Sequence, residues 1–106
     1  MRAFRIEPSA NAHLDQIYDY SAVRWSEDQA DDYIAGLFAE FAVIADRKTP
    51  WRSLDPSFGV TGYSRRWRSH VIYWKGIAGG DVAIVAILHQ RMHQSPRLRE
   101  ALDGPP

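Results

Sequence analysis

The feature that most restricts the fold of this chain is a run of seven apolar residues near its C-terminal end, Val82 to Leu88. A run without alternation indicates a β-strand that is covered on both faces and therefore lies inside a sheet. It is far shorter than the roughly 20 residues that a membrane-spanning helix needs. Because Met1 to Arg5 lead into an alternating pattern and not into an apolar signal segment, we expect an intracellular, cytoplasmic protein.

A short strand and an amphipathic helix are predicted at the N-terminal end. Phe4 and Ile6 alternate with charged residues, as in a half-buried strand, and Pro8 ends that strand. The hydroxyl of Ser9 is predicted to cap a helix over about residues 10–24. Five residues recur at helical spacing and form one stripe of this helix: Leu14, Ile17, Tyr18, Ser21 and Trp25.

A second helix follows almost immediately. Ser26 and Gln29 have the spacing of a capping box, and apolar residues then recur at helical spacing until Pro50 ends the helix. Two helices joined so closely are expected to pack as an antiparallel hairpin. Four aromatic residues on the apolar stripes are predicted core residues: Tyr18, Tyr33, Phe38 and Phe41. Replacement of Phe38 by alanine is accordingly expected to cost about 3–5 kcal/mol of stability.

The rest of the chain is predicted to supply the sheet. Residues 50–63 have the composition of a loop, whereas Trp67, His70–Trp74 and the apolar run are predicted to be extended, with Gly76–Asp81 as a turn. The order β-α-α-β-β-β predicts an α+β fold, in which a helix hairpin packs on a small, mostly antiparallel sheet.

A chain of 106 residues is expected to form one domain. We assign residues 1–99 to that domain and residues 100–106 to a polar tail with the composition of a disordered segment. The absence of cysteine excludes disulfides and thiolate metal sites, and the four histidines lack metal-ligand spacing, so no metal or cofactor is expected.

The net charge is zero, but its distribution is uneven. Residues 1–46 carry three basic and nine acidic residues, whereas residues 47–106 carry ten basic and four acidic ones. This asymmetry favours an anionic partner at one face and a cationic partner at another. It equally fits two solvated faces of opposite sign, and the sequence leaves both interpretations open.

Three segments carry a resemblance to a known family: IYDYSAVRWSEDQADDYI at residues 17–34, RSHVIYW at 68–74 and AILHQRMH at 86–93. They resemble ParE-type toxins of the RelE/ParE superfamily, from bacterial type II toxin–antitoxin modules. The resemblance implies the same β-α-α-β-β-β fold and a growth-inhibiting toxin that poisons DNA gyrase. It also implies a ParD-like antitoxin that forms a hetero-oligomer with the toxin.

Basic and aromatic residues of the predicted sheet are the candidates for partner binding: Arg65, Arg66, Trp67, Arg68, His70, Arg91 and His93. A basic strand with an interleaved aromatic residue can face an anionic surface. Each residue also has a structural interpretation. Trp67 can face inward, and His70 and His89 can be hydrogen-bonded at the edge of the core. Arg91 can form an ion pair with Asp15 or Asp19.

An enzymatic alternative remains open. RelE-type relatives cut messenger RNA on the ribosome, and RNA cleavage without metal needs a base, an acid and cations. Arg68, Arg91 and His93 are the candidates for these roles. His93 departs from the ParE pattern, in which an acidic residue is more usual. A third alternative is a domain without toxic activity that serves as the repressor partner of an antitoxin.

Overall fold

The structure is a computed structural model that describes residues 3–46, 52–53 and 62–90. The elements in chain order are β1 (Phe4–Ile6), α1 (Pro8–Arg24), α2 (Glu27–Ala45), β2 (Arg52–Ser53), β3 (Tyr63–Trp67), β4 (His70–Gly76) and β5 (Val82–His89). The strands form one sheet in the order β1-β5-β4-β3-β2, in which β1 is parallel to β5 and the other pairs are antiparallel. The predicted α+β class is confirmed. The two-residue strand β2 lies within the segment that was predicted to be a loop.

The apolar run forms the centre of the sheet, as predicted. β5 lies between β1 and β4, and every residue from Val82 to Leu88 is buried. A bulge interrupts its pairing with β4, because Tyr73 pairs with Ala86 while Trp74 pairs with Ile84. The extra residue, Val85, reverses the alternation of the strand. The helix-facing side chains are therefore Val82 and Ile84 before the bulge and Ile87, three positions after Ile84, beyond it.

The helix hairpin covers one face of this sheet. The shared core contains Ala10, Leu14 and Ile17 from α1, Leu37, Phe41, Ile44 and Ala45 from α2, and Ile72, Trp74, Val82, Ile84 and Ile87 from the sheet. A second cluster, on the opposite face, contains Tyr73, Val85, Ala86 and Leu88, with Val71 packed against it. Because β5 contributes apolar side chains to both clusters, its sequence does not alternate between apolar and polar residues. Neither of the two described helices is long and apolar enough to cross a lipid bilayer.

One of the two predicted helix caps is present. The side chain of Ser26 accepts a hydrogen bond from the backbone N–H of Gln29 at 3.1 Å, as predicted. The prediction for Ser9 was wrong, because α1 begins at Pro8 with Glu7 as its N-cap residue. Proline suits the first helical position, because an N–H group there has no acceptor within the helix and its absence costs no hydrogen bond. The Ser9 hydroxyl instead donates to the carbonyl oxygen of Val85 at 2.6 Å, which joins α1 to the bulge.

The predicted aromatic core needs two corrections, because Tyr18 belongs to neither cluster and Phe38 is partly exposed. Phe41 is fully buried and Tyr18 and Tyr33 are half-buried, but Phe38 is 39% exposed. At about 100° per residue, Phe38 lies roughly 80° from the centre of the buried stripe of α2. Its ring packs against Phe4 and Phe41, with centroids 6.3 and 5.5 Å away. Since Phe4 lies on the edge strand β1, Phe38 is at the margin of the sheet and is only partly covered.

Candidate partner-binding site

The alternation of β3 separates the candidate basic residues. Arg65 pairs with Ile72 and Trp67 with His70, so these side chains lie on the helix-facing side of the sheet. Arg66 pairs with Val71 and lies on the opposite side. Arg68 and Ser69 form the two-residue turn to β4. The run Arg65–Arg68 therefore does not form one continuous basic surface.

Arg65 and Trp67 make structural contacts with α2. The Nε–H of Arg65 donates to a carboxylate oxygen of Glu40, and this ion pair joins β3 to the helix. The indole of Trp67 lies against Gly36, where an added Cβ would be 2.7 Å from its Cζ2 atom. Its ring also meets that of Tyr33 edge to face, with centroids 4.9 Å apart. The inward-facing interpretation of Trp67 is confirmed.

Arg68 is held at the surface in an uncommon backbone conformation. Its φ of 53° lies in the left-handed region, which non-glycine residues seldom adopt. The guanidinium carbon lies 4.8 Å from the centroid of the Trp67 ring, within the range of a cation–π contact. The Nε–H of Arg66 donates to the carbonyl oxygen of Arg68 at 3.2 Å, which supports the turn. Within the described residues, neither Arg66 nor Arg68 has a carboxylate within 4.0 Å, and both are exposed.

His70 is placed in a polar contact between β4 and α2. Its Nδ1 lies 2.6 Å from the hydroxyl of Tyr33, and that oxygen also accepts the backbone N–H of Ser69. The hydroxyl donates to Nδ1 when the hydrogen of the neutral imidazole lies on Nε2, and it accepts from Nδ1 when the hydrogen lies there. Burial and the neighbouring His89 lower the pKa of His70 to about 4, and burial raises the pKa of Tyr33.

Three of the four histidines meet at one end of the hairpin. His70 and His89 are cross-strand partners whose ring centroids lie 5.4 Å apart. On α1, Nδ1 of His13 accepts the backbone N–H of Ile87 at 3.2 Å. These rings line a cavity of about 430 Å³ between the hairpin and the ends of β4 and β5. We call it the histidine cleft, and its aromatic and imidazole lining consists of His13, Tyr20, Trp25, Tyr33, His70 and His89.

The sequence did not reveal this cleft. Trp25 was placed on the buried stripe of α1, but it follows the last helical residue and is 57% exposed. No sequence pattern marked His13 or Tyr20 as a site residue. They line the cleft only because α1 packs on the end of β5. Within the described part of the chain, no three metal-binding side chains are grouped closely enough to hold a metal ion.

Two candidates remain without structural placement. Arg91 and His93 lie outside the described residues, as does the ion pair suggested between Arg91 and Asp15 or Asp19. The described part of the candidate site therefore consists of two exposed guanidinium groups, a half-buried neutral histidine and the adjoining cleft.

Comparison with known proteins decides the family. A family model described as the ParE toxin of the type II toxin–antitoxin system parDE matches residues 4–94. The chain belongs to the ParE toxin family. The ParE1 toxin of Caulobacter vibrioides is 34% identical over 99 residues, which cover 92% of this chain and 99% of that toxin. The ParE toxin of Escherichia coli is 31% identical over 104 residues, which cover 98% of this chain and all of that toxin.

A solved structure agrees with the architecture. The structure described as a chromosomal ParDE system from P. aeruginosa superimposes with a TM-score of 0.64, over 84% of this chain and 96% of that one. Because the sequence identity is 19%, this likeness concerns the fold alone. As a member of the ParE family, the protein is the toxin of a type II toxin–antitoxin module.

Proposed function

We propose that this ParE-family toxin inhibits growth by binding and poisoning DNA gyrase, and that a ParD-like antitoxin neutralises it in a hetero-oligomer. The observation that carries the proposal is the match to the ParE family over residues 4–94. We propose that the protein acts in the cytoplasm, together with both proposed partners. We propose residues 1–99 as the toxin domain, with residues 100–106 as its tail.

The described residues supply contacts for binding, whereas Arg91 and His93, two of the three candidates for catalysis, lie outside them. A general acid in RNA cleavage must carry a proton near neutral pH. His70 does not meet this requirement, because its pKa is about 4 and its Nδ1 is occupied by Tyr33. Arg65 is engaged by Glu40, and Trp67 packs on Gly36. The exposed cations Arg66 and Arg68 can attract an anionic partner without performing chemistry.

Induction of the protein in cells that lack the antitoxin tests the proposal. We expect growth arrest with a DNA-damage response and intact messenger RNA, and inhibition of supercoiling when purified toxin is added to gyrase. The double variant Arg66→Gln/Arg68→Gln should weaken gyrase inhibition. Arg5→Gln is the matched control, because it removes one guanidinium at the opposite edge of the sheet, where Arg5 pairs with Glu7.

Other results would select the alternatives. Codon-phased cuts in messenger RNA that vanish with His93→Ala would identify a ribosome-dependent endoribonuclease. Normal growth without antitoxin would identify a repressor partner that lacks toxic activity. Coexpression with the small protein encoded next to this gene tests the antitoxin part, since a stable complex and restored growth are expected together.

A further inference from the structure

The face of the sheet opposite the helix hairpin is apolar and buried. Tyr73 is fully buried there, Val85 is 1% exposed and Leu88 is 4% exposed, with Ala86 and Val71 completing the cluster. We call these five residues the second-face cluster. Side chains on an uncovered face of a sheet are open to solvent, so this degree of burial requires a second layer over the sheet.

No described element supplies that layer. α1 and α2 pack on the other face, through the core that contains Ile72, Trp74 and Ile87. The five described strands lie side by side within the sheet itself. The structure contains a single copy of the chain. The covering layer therefore consists of residues outside the described ranges.

Two of the remaining segments are poorly placed to form it. Residues 47–51 join the end of α2 to the edge strand β2, so they begin on the helix side. Residues 54–61 join β2 to β3, which begins at Tyr63. Leu88 lies about 10 Å across the sheet and about 10 Å along it from Tyr63. A loop with both ends fixed extends at most about 15 Å at this length, so only its tip could touch Leu88.

The C-terminal segment, residues 91–106, leaves the sheet beside the cluster. β5 ends at His89, one residue after Leu88. The backbone N–H of Gln90 donates to the carbonyl oxygen of Ser69 at 2.9 Å, which fixes the point of exit at the end of β5. Because the sheet holds only one of its ends, the segment is long enough to cover every residue of the cluster.

The sequence SPRLREALDG at residues 95–104 has the pattern of a short amphipathic helix. Ser95 is a favoured N-cap residue, and Pro96 suits the first helical position. Three apolar residues then recur at i, i+3 and i+4 and form one stripe, which we call the C-terminal stripe: Leu98, Ala101 and Leu102. A helix over residues 96–102 is thus apolar on one side only.

The size of this helix matches the cluster. Residues 96–102 in helical form span about 10 Å, and the three steps of extended chain from Val85 to Leu88 span about 10 Å as well. A helix this short is not stable alone in water, so it needs an apolar surface to pack on. Arg97 and Arg99 flank the stripe, where their stems can cover apolar surface while their guanidinium groups stay in water.

We propose that residues 96–102 form a helix whose C-terminal stripe packs on the second-face cluster. This third helix moves the end of the packed domain from residue 99 to about residue 102 and closes the apolar side of the sheet to partners. The inference concerns the cover of the sheet and not the target of the toxin. It is tested without gyrase or antitoxin, so either proposal can fail while the other stands.

Nuclear Overhauser contacts in the full chain with labelled leucine and valine methyl groups test the inference. The methyl groups of Leu98 and Leu102 should give contacts to the ring of Tyr73 and to the methyl groups of Leu88. Contacts of Tyr73 with residues 54–61 in their place would overturn the proposal. Contacts seen only between labelled and unlabelled chains would also overturn it, because a second copy would then be the cover.

Trypsin cleavage after Arg97 gives an independent readout, because a packed helix must open before it is cut. Leu102→Gln should speed this cleavage about 10-fold, since one buried leucine side chain contributes at least that factor to the packing equilibrium. Asp103→Gln is the matched control, because it introduces the same side chain on the polar side of the helix and should leave the rate unchanged.

A blocked peptide of residues 91–106 supplies the rate of the unpacked segment. With either change it should be cut as fast as without, and much faster than the same bond in the full chain. Equal rates in the peptide, the parent chain and the Leu102→Gln chain would show that the segment does not pack on the sheet. The methyl contacts of the parent chain decide the question even where Leu102→Gln fails to fold.

Discussion

The phenol of Tyr33 lies 2.6 Å from Nδ1 of His70, and this contact ties the helix hairpin to the end of the sheet. The same tyrosine ring packs edge to face on His70 and on Trp67, with centroids 5.5 and 4.9 Å away. Tyr33 is therefore the point at which α2, the turn before β4 and the histidine cleft meet.

Acidification should destabilise the protein through His70. Its pKa in the folded state is about 4, below the ordinary 6.5, so the unfolded state takes up the proton first. The stabilising contribution is complete above pH 6.5 and is lost as the pH falls from 6.5 towards 4. Allowing for the partial exposure of the ring, we expect a loss of about 1–2 kcal/mol. Urea unfolding at pH 7.5, 6 and 5 measures it.

His70→Gln provides the control, because a glutamine amide oxygen can accept the Tyr33 hydroxyl without titrating. The variant should lose less stability than the parent between pH 6.5 and 4.5. Identical pH dependence in the two proteins would show that groups other than His70 are responsible.

Gly36→Ala should destabilise the protein, although alanine is the better helix former by about 1 kcal/mol. The new methyl group would lie 2.7 Å from the Trp67 ring, and such overpacking costs about 1–3 kcal/mol. A net loss of up to about 2 kcal/mol is expected in urea unfolding. In a Trp67→Leu background the clash is absent, so the same change should become neutral or stabilising. A loss that persists there would place the strain elsewhere.

Arg68→Gly should stabilise the fold, because glycine accepts the left-handed φ of 53° without steric cost. A non-glycine residue loses about 1–2 kcal/mol in this region, and the greater freedom of glycine in the unfolded chain offsets part of the gain. We expect a net increase of about 0.5–1 kcal/mol in the free energy of unfolding. Arg68→Lys, which retains a Cβ, should leave stability unchanged. Equal values for the two variants would show that the turn is unstrained.

Phe38 and Phe41 offer a matched pair on one helix. Phe41→Ala should cost about 3–5 kcal/mol, because the ring is fully buried. Phe38→Ala should cost only about 1–2 kcal/mol, because the ring is 39% exposed beside the edge strand. Chemical denaturation of both variants checks the difference. Equal costs would mean that Phe38 is covered in solution.

The sequence predicted the features that local chemistry determines. The unbroken apolar run from Val82 to Leu88 marked the central strand, and the spacing of Ser26 and Gln29 marked the start of α2. The bulge at Val85 could not be predicted, because seven apolar residues look the same with or without a change of register. Ser9 was misassigned because the rule for capping residues competes with the preference of proline for the first helical turn.

The histidine cleft depends on pairings that are distant along the chain. His70 faces His89 through the β4–β5 register, and His13 reaches Ile87 only when α1 packs on the sheet. No local pattern encodes these contacts. Strand alternation alone places Arg65 and Arg66 on opposite sides of the sheet. The pairing of β3 with β4 decides which of these two sides faces the helices.

The parallel pairing of β1 with β5 has a consequence for the order in which the protein is assembled during translation. Phe4 pairs with Val82, 78 positions later, and Ile6 pairs with Ile84. At about 5–20 residues per second, a ribosome needs roughly 4–16 s to synthesise the intervening chain. During that interval the hairpin can form, but the nascent β1 has no neighbour in its sheet, so docking of the N-terminal strand must be among the last folding events.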